Sequence, residues 1–195
     1  MEKNLFDAIE FVAQAHRGHF RKATQIPYIS HLINVMKILL EYGYSEKVAM
    51  AGLLHDVVED TAVKIEEVTC LFGVEVAALV RGATEPHKLH LEEGETEAPW
   101  LERKIHTLDY LKKETSEYIL AVSCADKLDN IRSIRADIEK VGDEVWSRFN
   151  APYDSQKWYY SGLAITFVGR QKDFGGQYRA LTDKFEATTK AVFLR

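Results

Sequence analysis

Hydrophobic positions recur at three- and four-residue steps along most of the chain. Leu5, Ile9, Val12 and His16 form one such stripe among polar Glu2, Lys3, Asp7 and Glu10. That period predicts an amphipathic helix, ending near Gly18. Arg17 to Tyr28 is basic and reads as a loop, with Pro27 opening or preceding the next helix. Leu32, Val35, Met36, Leu39 and Leu40 mark that second helix, and Gly43 ends it. Ser45 offers an N-cap for a third. From Val48 to Val58 the sequence is apolar except at His55-Asp56, which predicts one helix buried on all sides at the centre of the fold. Two short helices, Ile65–Phe72 and Val74–Ala83, are separated by Gly73. Glu85 to Pro99, with its prolines and glutamates, predicts a mobile surface loop. Further helices are expected over Trp100–Lys113, Ser116–Arg135, Trp158–Val168 and Tyr178–Phe193. No segment has the alternation of a strand. The expectation is a single all-α domain over residues 1–195.

Composition narrows the function classes. Of 195 residues, 46% are hydrophobic and 28% charged, the balance of a soluble globular protein and not of a disordered or collagen-like chain. Lys and Arg number 25 against 30 Asp and Glu, a formal net charge of −5. Non-specific nucleic-acid binding runs on excess positive charge, so no nucleic-acid partner is expected, while small anionic substrates stay open. No stretch reaches the ~18 apolar residues of a membrane span, and no N-terminal apolar run is present. A cytoplasmic protein with no membrane partner is expected. Cys70 and Cys124 lack CxxC spacing, and their apolar flanks predict two buried thiols in a reducing compartment.

The chemistry concentrates in Leu53-Leu54-His55-Asp56-Val57-Val58-Glu59-Asp60-Thr61. Four ionisable groups stand at the end of an apolar helix. Glu59 follows His55 by four residues and Asp60 follows Asp56 by four, so each pair shares a helix face. His55 and Asp56 themselves diverge by only ~100° and can converge on one ion. A solvated helix end with a core histidine is the simpler alternative. Against it, carboxylates at a helix C-terminus oppose the macrodipole and repel one another unless a cation is bound. A divalent metal needs further ligands. His31, in Pro27-Tyr28-Ile29-Ser30-His31, and Asp126, in Ala125-Asp126-Lys127-Leu128-Asp129-Asn130, complete a His-His-Asp-Asp set.

His31, His55-Asp56 and Asp126, in that order, resemble the ligand pattern of the HD phosphohydrolase superfamily. His16-Arg17-x-x-Phe20-Arg21-Lys22, Pro27-Tyr28-Ile29-Ser30-His31, the string Ala51 to Thr61, Phe72-Gly73 and Asp126-Lys127-Leu128-Asp129-Asn130 look like the hydrolase domain of RelA/SpoT-type enzymes. They look especially like its single-domain form, the small alarmone hydrolases. The resemblance runs from about Leu5 to Arg135. It implies a single helical HD-domain fold that binds one metal, usually Mn²⁺, and cleaves the 3′-pyrophosphate from ppGpp or pppGpp.

In such a site the metal lowers the pKa of a water and polarises a phosphoryl oxygen. The resemblance assigns Glu59 and Asp60 to orienting or deprotonating that water. It assigns Arg21-Lys22 to the nucleotide, where an Arg plane can stack on a purine or fork onto phosphate, and Asn130 to the nucleoside. The mixed nitrogen and oxygen donors suit Mn²⁺, Fe²⁺ or Co²⁺ without excluding Zn²⁺. Arg103 and Lys104 are candidates for phosphate contacts, and Arg148 and Tyr160 for residues covering the substrate.

Two positions depart from the family. Leu32 follows His31 where the family usually has Pro. Asp129 stands where alarmone hydrolases commonly have His or Tyr, an extra carboxylate that would repel phosphate unless Lys127 or Arg132 neutralises it. The substrate class is therefore weighed against two alternatives. One is an HD phosphohydrolase of another nucleotide: a nucleoside monophosphate, a deoxynucleotide or the 2′-phosphate of NADPH. The other is a non-catalytic nucleotide-binding module. At this length no synthetase domain is expected alongside the hydrolase. Oligomeric state is left open.

Overall fold

The computed structural model describes residues 2–84 and 98–194. Most of the expected surface loop from Glu85 to Pro99 lies outside them. Among the described residues the regular elements are helices, in the order α1 (Leu5–Ala15), α2 (Ile29–Glu41), α3 (Glu46–Leu54), α4 (Val57–Asp60), α5 (Ile65–Ala83), α6 (Trp100–Lys113), α7 (Glu117–Val141), α8 (Tyr153–Gly169) and α9 (Gly176–Phe193). Short 3-10 turns cover Gly142–Arg148 and Gln171–Asp173. None of the helices is long and apolar enough to cross a membrane.

Local chemistry sets the helix ends. Asn4 accepts from the Phe6 and Asp7 amides, and Asp7 accepts back from the Asn4 amide at 2.8 Å, a capping box that starts α1. Ser116 caps α7 through the Ile119 amide. Gly73 sits at φ 87°, ψ 163° inside α5, a conformation open to glycine and strained for other residues. It divides that helix where the sequence predicts a break.

The centre is α3. Every residue from Val48 to Leu54 is buried, as its all-round apolar sequence requires. It packs against α1, α2, α5 and α7. Helix α7 is the other organiser: it contacts α2, α3 and α5, and on its far side α9, which carries α8 and through it α6. Leu120 to Asp126 of α7 are consecutively buried.

The structure corrects the sequence at four places. The apolar helix does not run unbroken from Val48 to Val58: α3 ends at Leu54 and α4 restarts at Val57. The His55 ring donates to the Gly52 carbonyl at 2.7 Å, the acceptor an unbroken helix would give to the Asp56 amide. Helix α7 continues past Arg135 to Val141, because Ile138 adds another turn of buried contact. Cys124 is buried but Cys70 is exposed. On α5 the buried stripe is Val68, Phe72, Val76 and Val80, which turns Cys70 outward. The basic segment before α2 is not a plain loop. Phe20 and Pro27 form an isolated antiparallel bridge, closed by Arg21 N–H to Ile26 O at 2.8 Å and Tyr28 N–H to His19 O at 2.9 Å.

The α2–α3 crossing depends on Gly52. A Cβ there would lie 2.4 Å from Leu39 Cδ1 and 3.2 Å from Val35 Cγ1, both on fully buried side chains. Gly52→Ala is expected to cost about 1–3 kcal/mol by overpacking and to lower the Tm in thermal unfolding. An unchanged Tm would contradict this close approach of α2 and α3.

Candidate metal centre and flanking cavities

Three helices that pack on one another bring the predicted ligands together. His31 lies in the first turn of α2, behind the Pro27–Tyr28 turn. His55 and Asp56 occupy the break between α3 and α4. Asp126 sits mid-way along α7. One nitrogen or oxygen from each of His31, His55 and Asp56 lies within 4.8 Å of the other two. Asp126 Oδ1 is 3.2 Å from His31 Nε2 and 3.7 Å from His55 Nε2, and Asp56 Oδ2 is 3.0 Å from His55 Nε2.

The donor set fits a cation. His55 donates from Nδ1 to the Gly52 carbonyl, which leaves Nε2 as its lone-pair nitrogen when the ring is neutral. That buried Nε2 has no hydrogen-bond partner, yet it faces two carboxylates. Lone pairs from nitrogen and oxygen thus converge on one point, an arrangement that repels itself unless positive charge is shared among them. The protonation preferences of the groups follow from the same field. Burial lowers the pKa of His55, but the nearby carboxylates of Asp56 and Asp126 outweigh it, and the ring stands well above the ordinary imidazole value. His31 is raised in the same way, its burial outweighed by bonds to Asp126 and Asp129. Asp56 and Asp126 are held below the usual carboxylate range despite burial, Asp56 by His55 and Asp126 chiefly by Lys127. A divalent cation meets the demand for positive charge that these protons otherwise meet.

Supporting contacts fix the carboxylates. Tyr28 donates its hydroxyl to Asp56 Oδ2 at 2.5 Å. Burial and the Asp56 charge push the Tyr28 pKa up, so the group stays a donor. Its ring stacks on buried His16 at 5.2 Å. Asp126 accepts from Lys127 Nζ and from Asn130 Nδ2, each at 2.6 Å.

Two cavities flank the centre and meet at Tyr28 and Asn130. The smaller, about 330 Å³, is lined by Glu59 and Asp60 together with His55, Asp56 and Asp126, and also by Arg103 and Lys104. The larger, about 580 Å³, is lined by Arg21, Lys22, Asn130, Arg148 and Tyr160. All the predicted site residues therefore border the metal set or one of these cavities. Arg21 Nη2 donates to Asn130 Oδ1 at 2.7 Å, with its guanidinium 5.7 Å from the Tyr28 ring centre. Lys22 reaches Asn150 at 2.8 Å, and Arg148 pairs with Asp137 at 3.0 Å. Tyr160 is a buried part of the wall.

Asp129 behaves differently from the expectation. Neither Lys127 nor Arg132 is its neutralising partner. Lys127 is committed to Asp126, and Asp129 is held instead by the His31 ring and the Asn34 amide. Tyr28, Lys127 and Asn34 are absent from the predicted site. Spacing carries a signal for each: Tyr28 and Asn34 lie three residues before and after His31, and Lys127 adjoins Asp126.

The HD domain family matches residues 8–153, a span holding all four converging side chains. The chain belongs to the HD domain family. This HD domain is 37% identical over 134 residues to the Drosophila melanogaster guanosine-3′,5′-bis(diphosphate) 3′-pyrophosphohydrolase MESH1, covering 67% of this chain and 69% of that one. It is 34% identical over 137 residues to the Borreliella burgdorferi guanosine-3′,5′-bis(diphosphate) 3′-pyrophosphohydrolase, matching 68% of this chain but only 19% of that much longer protein. A solved structure described as a metazoan ortholog of SpoT that hydrolyzes ppGpp superposes with a TM-score of 0.68 at 28% identity, covering 97% of this chain and 93% of that one.

A cation that binds the folded centre and not the unfolded chain stabilises the HD domain, by about 2.7 kcal/mol at a concentration 100-fold above Kd. EDTA-treated protein is expected to gain Tm on titration with MnCl₂, and His55→Ala to lose that gain. Equal stabilisation of both proteins in a thermal-shift assay would exclude the site.

Proposed function

We propose that the protein is a metal-dependent phosphohydrolase that removes the 3′-pyrophosphate of ppGpp or pppGpp, yielding GDP or GTP and pyrophosphate. The observation that carries this reading is the buried His-His-Asp-Asp set beside two further carboxylates, in a chain whose relatives of similar length are guanosine-3′,5′-bis(diphosphate) 3′-pyrophosphohydrolases. The residues act as one HD unit. Mn²⁺ is the favoured cation, since two imidazoles and two carboxylates offer intermediate nitrogen and oxygen ligands. A cytoplasmic setting suits the two free thiols, Cys70 and Cys124.

His31, His55, Asp56 and Asp126 would hold the cation, which when bound supplies Lewis-acid polarisation of a phosphoryl oxygen and eases the ionisation of water. Glu59 and Asp60, one turn beyond His55 and Asp56, orient the attacking water and take its proton. The water oxygen bonds to the phosphorus carried on the 3′-oxygen, and the bond from that phosphorus to the 3′-oxygen breaks. The 3′-oxygen leaves with a proton as a hydroxyl. Arg103 and Lys104, which line the same smaller cavity, offset the charge of the departing pyrophosphate. The larger cavity suits the nucleoside. There Arg21 offers a guanidinium plane to the purine, Asn130 an amide, and Lys22 and Arg148 cationic contacts, with Tyr160 as wall.

Purified Mn²⁺-loaded protein is expected to convert ppGpp to equal amounts of GDP and pyrophosphate. Asp60→Asn is expected to lower kcat by roughly 10²–10⁴-fold, the usual worth of a positioned acid or base, while keeping stabilisation by Mn²⁺. Intact ppGpp alongside phosphate release from a nucleoside monophosphate, a deoxynucleotide or NADPH would overturn the substrate.

A further inference from the structure

We propose that Asp129 is a positioning residue for the metal centre. It fixes the orientation and tautomer of His31 so that Nε2 faces Asp56 and Asp126. The inference rests on the reading of His31 as a metal ligand and goes beyond it to a residue outside the ligand set. Asp129 Oδ2 lies 2.7 Å from His31 Nδ1, and Asp129 Oδ1 accepts from Asn34 Nδ2 at 3.0 Å. With Nδ1–H donated to the carboxylate, the neutral ring keeps its lone pair on Nε2, 3.2 Å from Asp126 Oδ1 and 3.8 Å from Asp56 Oδ2.

Helical spacing builds the device. Asp126 and Asp129 stand three apart on α7, and His31 and Asn34 three apart on α2, so each pair shares a face. Two facing helices thus form a clasp, with α2 giving an imidazole and the amide behind it, and α7 a carboxylate ligand and the carboxylate behind the other ligand. The two imidazoles are not equivalent. His55 rests on a neutral acceptor, the Gly52 carbonyl, and His31 on a charged one. A carboxylate behind a ligating imidazole makes it more basic and holds its plane.

Asp129 also borders the larger cavity, so a direct contact with the nucleotide is the competing role. Its geometry argues otherwise. The residue is 5% exposed, and each of its oxygens already has a hydrogen-bond donor from α2. What the cavity meets is a carboxylate edge whose charge is committed to the metal side.

The test is Mn²⁺ affinity, read from the electron paramagnetic resonance signal of free Mn²⁺ during titration of EDTA-stripped protein. His31→Ala, Asp129→Ala, Asp129→Asn and Asn34→Ala are compared with wild type. Asp129→Ala is expected to weaken binding roughly 10–100-fold, the usual cost of losing such a partner. Asp129→Asn, nearly isosteric and still able to accept from Nδ1–H, is expected to weaken it severalfold, and it carries the test if Asp129→Ala does not fold. Asn34→Ala is expected to fall between wild type and Asp129→Ala. The Mn²⁺ concentration for half-maximal turnover should rise by the same factors, with KM for ppGpp unchanged and kcat recovered at saturating Mn²⁺. Wild-type Mn²⁺ affinity in the Asp129 variants, with a raised KM, would overturn the inference while His31→Ala still lost the metal. Wild-type affinity in His31→Ala as well would overturn the metal centre itself.

Discussion

His31, His55, Asp56 and Asp126 gather two imidazoles and two carboxylates in the interior of a helical bundle, and this concentration of like-facing lone pairs is the constraint the rest of the molecule answers. Carboxylates removed from water cost several kcal/mol each unless matched by opposite charge. The protein meets part of that cost internally, through Lys127 on Asp126 and the Tyr28 hydroxyl on Asp56. The remainder falls to the imidazoles and to the cation that the donor set fits. Removing any one member leaves the others worse matched than before, so the centre behaves as a unit.

The scaffold is arranged around that unit. The four side chains come from α2, the α3–α4 break and α7, and those helices pack directly on one another. Gly52 has two tasks. Its missing side chain lets α2 approach α3, and its carbonyl receives the His55 ring. The break after Leu54 belongs to the site as much as to the fold. It turns His55 and Asp56 toward one point and leaves Glu59 and Asp60 on the wall of the adjacent cavity.

Much of this was legible in the sequence because it is local. The closeness of His55 and Asp56 in one short string, the turn at Pro27 and the break at Gly73 each follow from spacing within a few residues. The all-helical fold follows from periodicity, and the central position of α3 from its unbroken apolar run. What was not legible depends on partners distant in the chain. The Asp129–His31 contact joins residues 98 apart, so Asp129 read alone was an extra negative charge beside the nucleotide. The same holds for Arg21 and Asn130, 109 apart. Cys70 misled because apolar neighbours in sequence do not share a helix face. The α3–α4 break was hidden because its cause is a side chain taking a backbone acceptor, which periodicity does not register.

The bridged segment before α2 has a consequence for binding. Phe20 and Pro27 are joined across a short turn in which Ala23 adopts φ 55°. Arg21 is therefore carried on hydrogen-bonded backbone and not on a free loop. Ordering a flexible residue costs about 1–2 kcal/mol of backbone entropy, and for this arm that cost is met during folding, before any nucleotide arrives. The guanidinium is a preset surface, so in the proposed nucleotide-binding role its contribution would go to affinity and orientation and not to organising the chain that presents it.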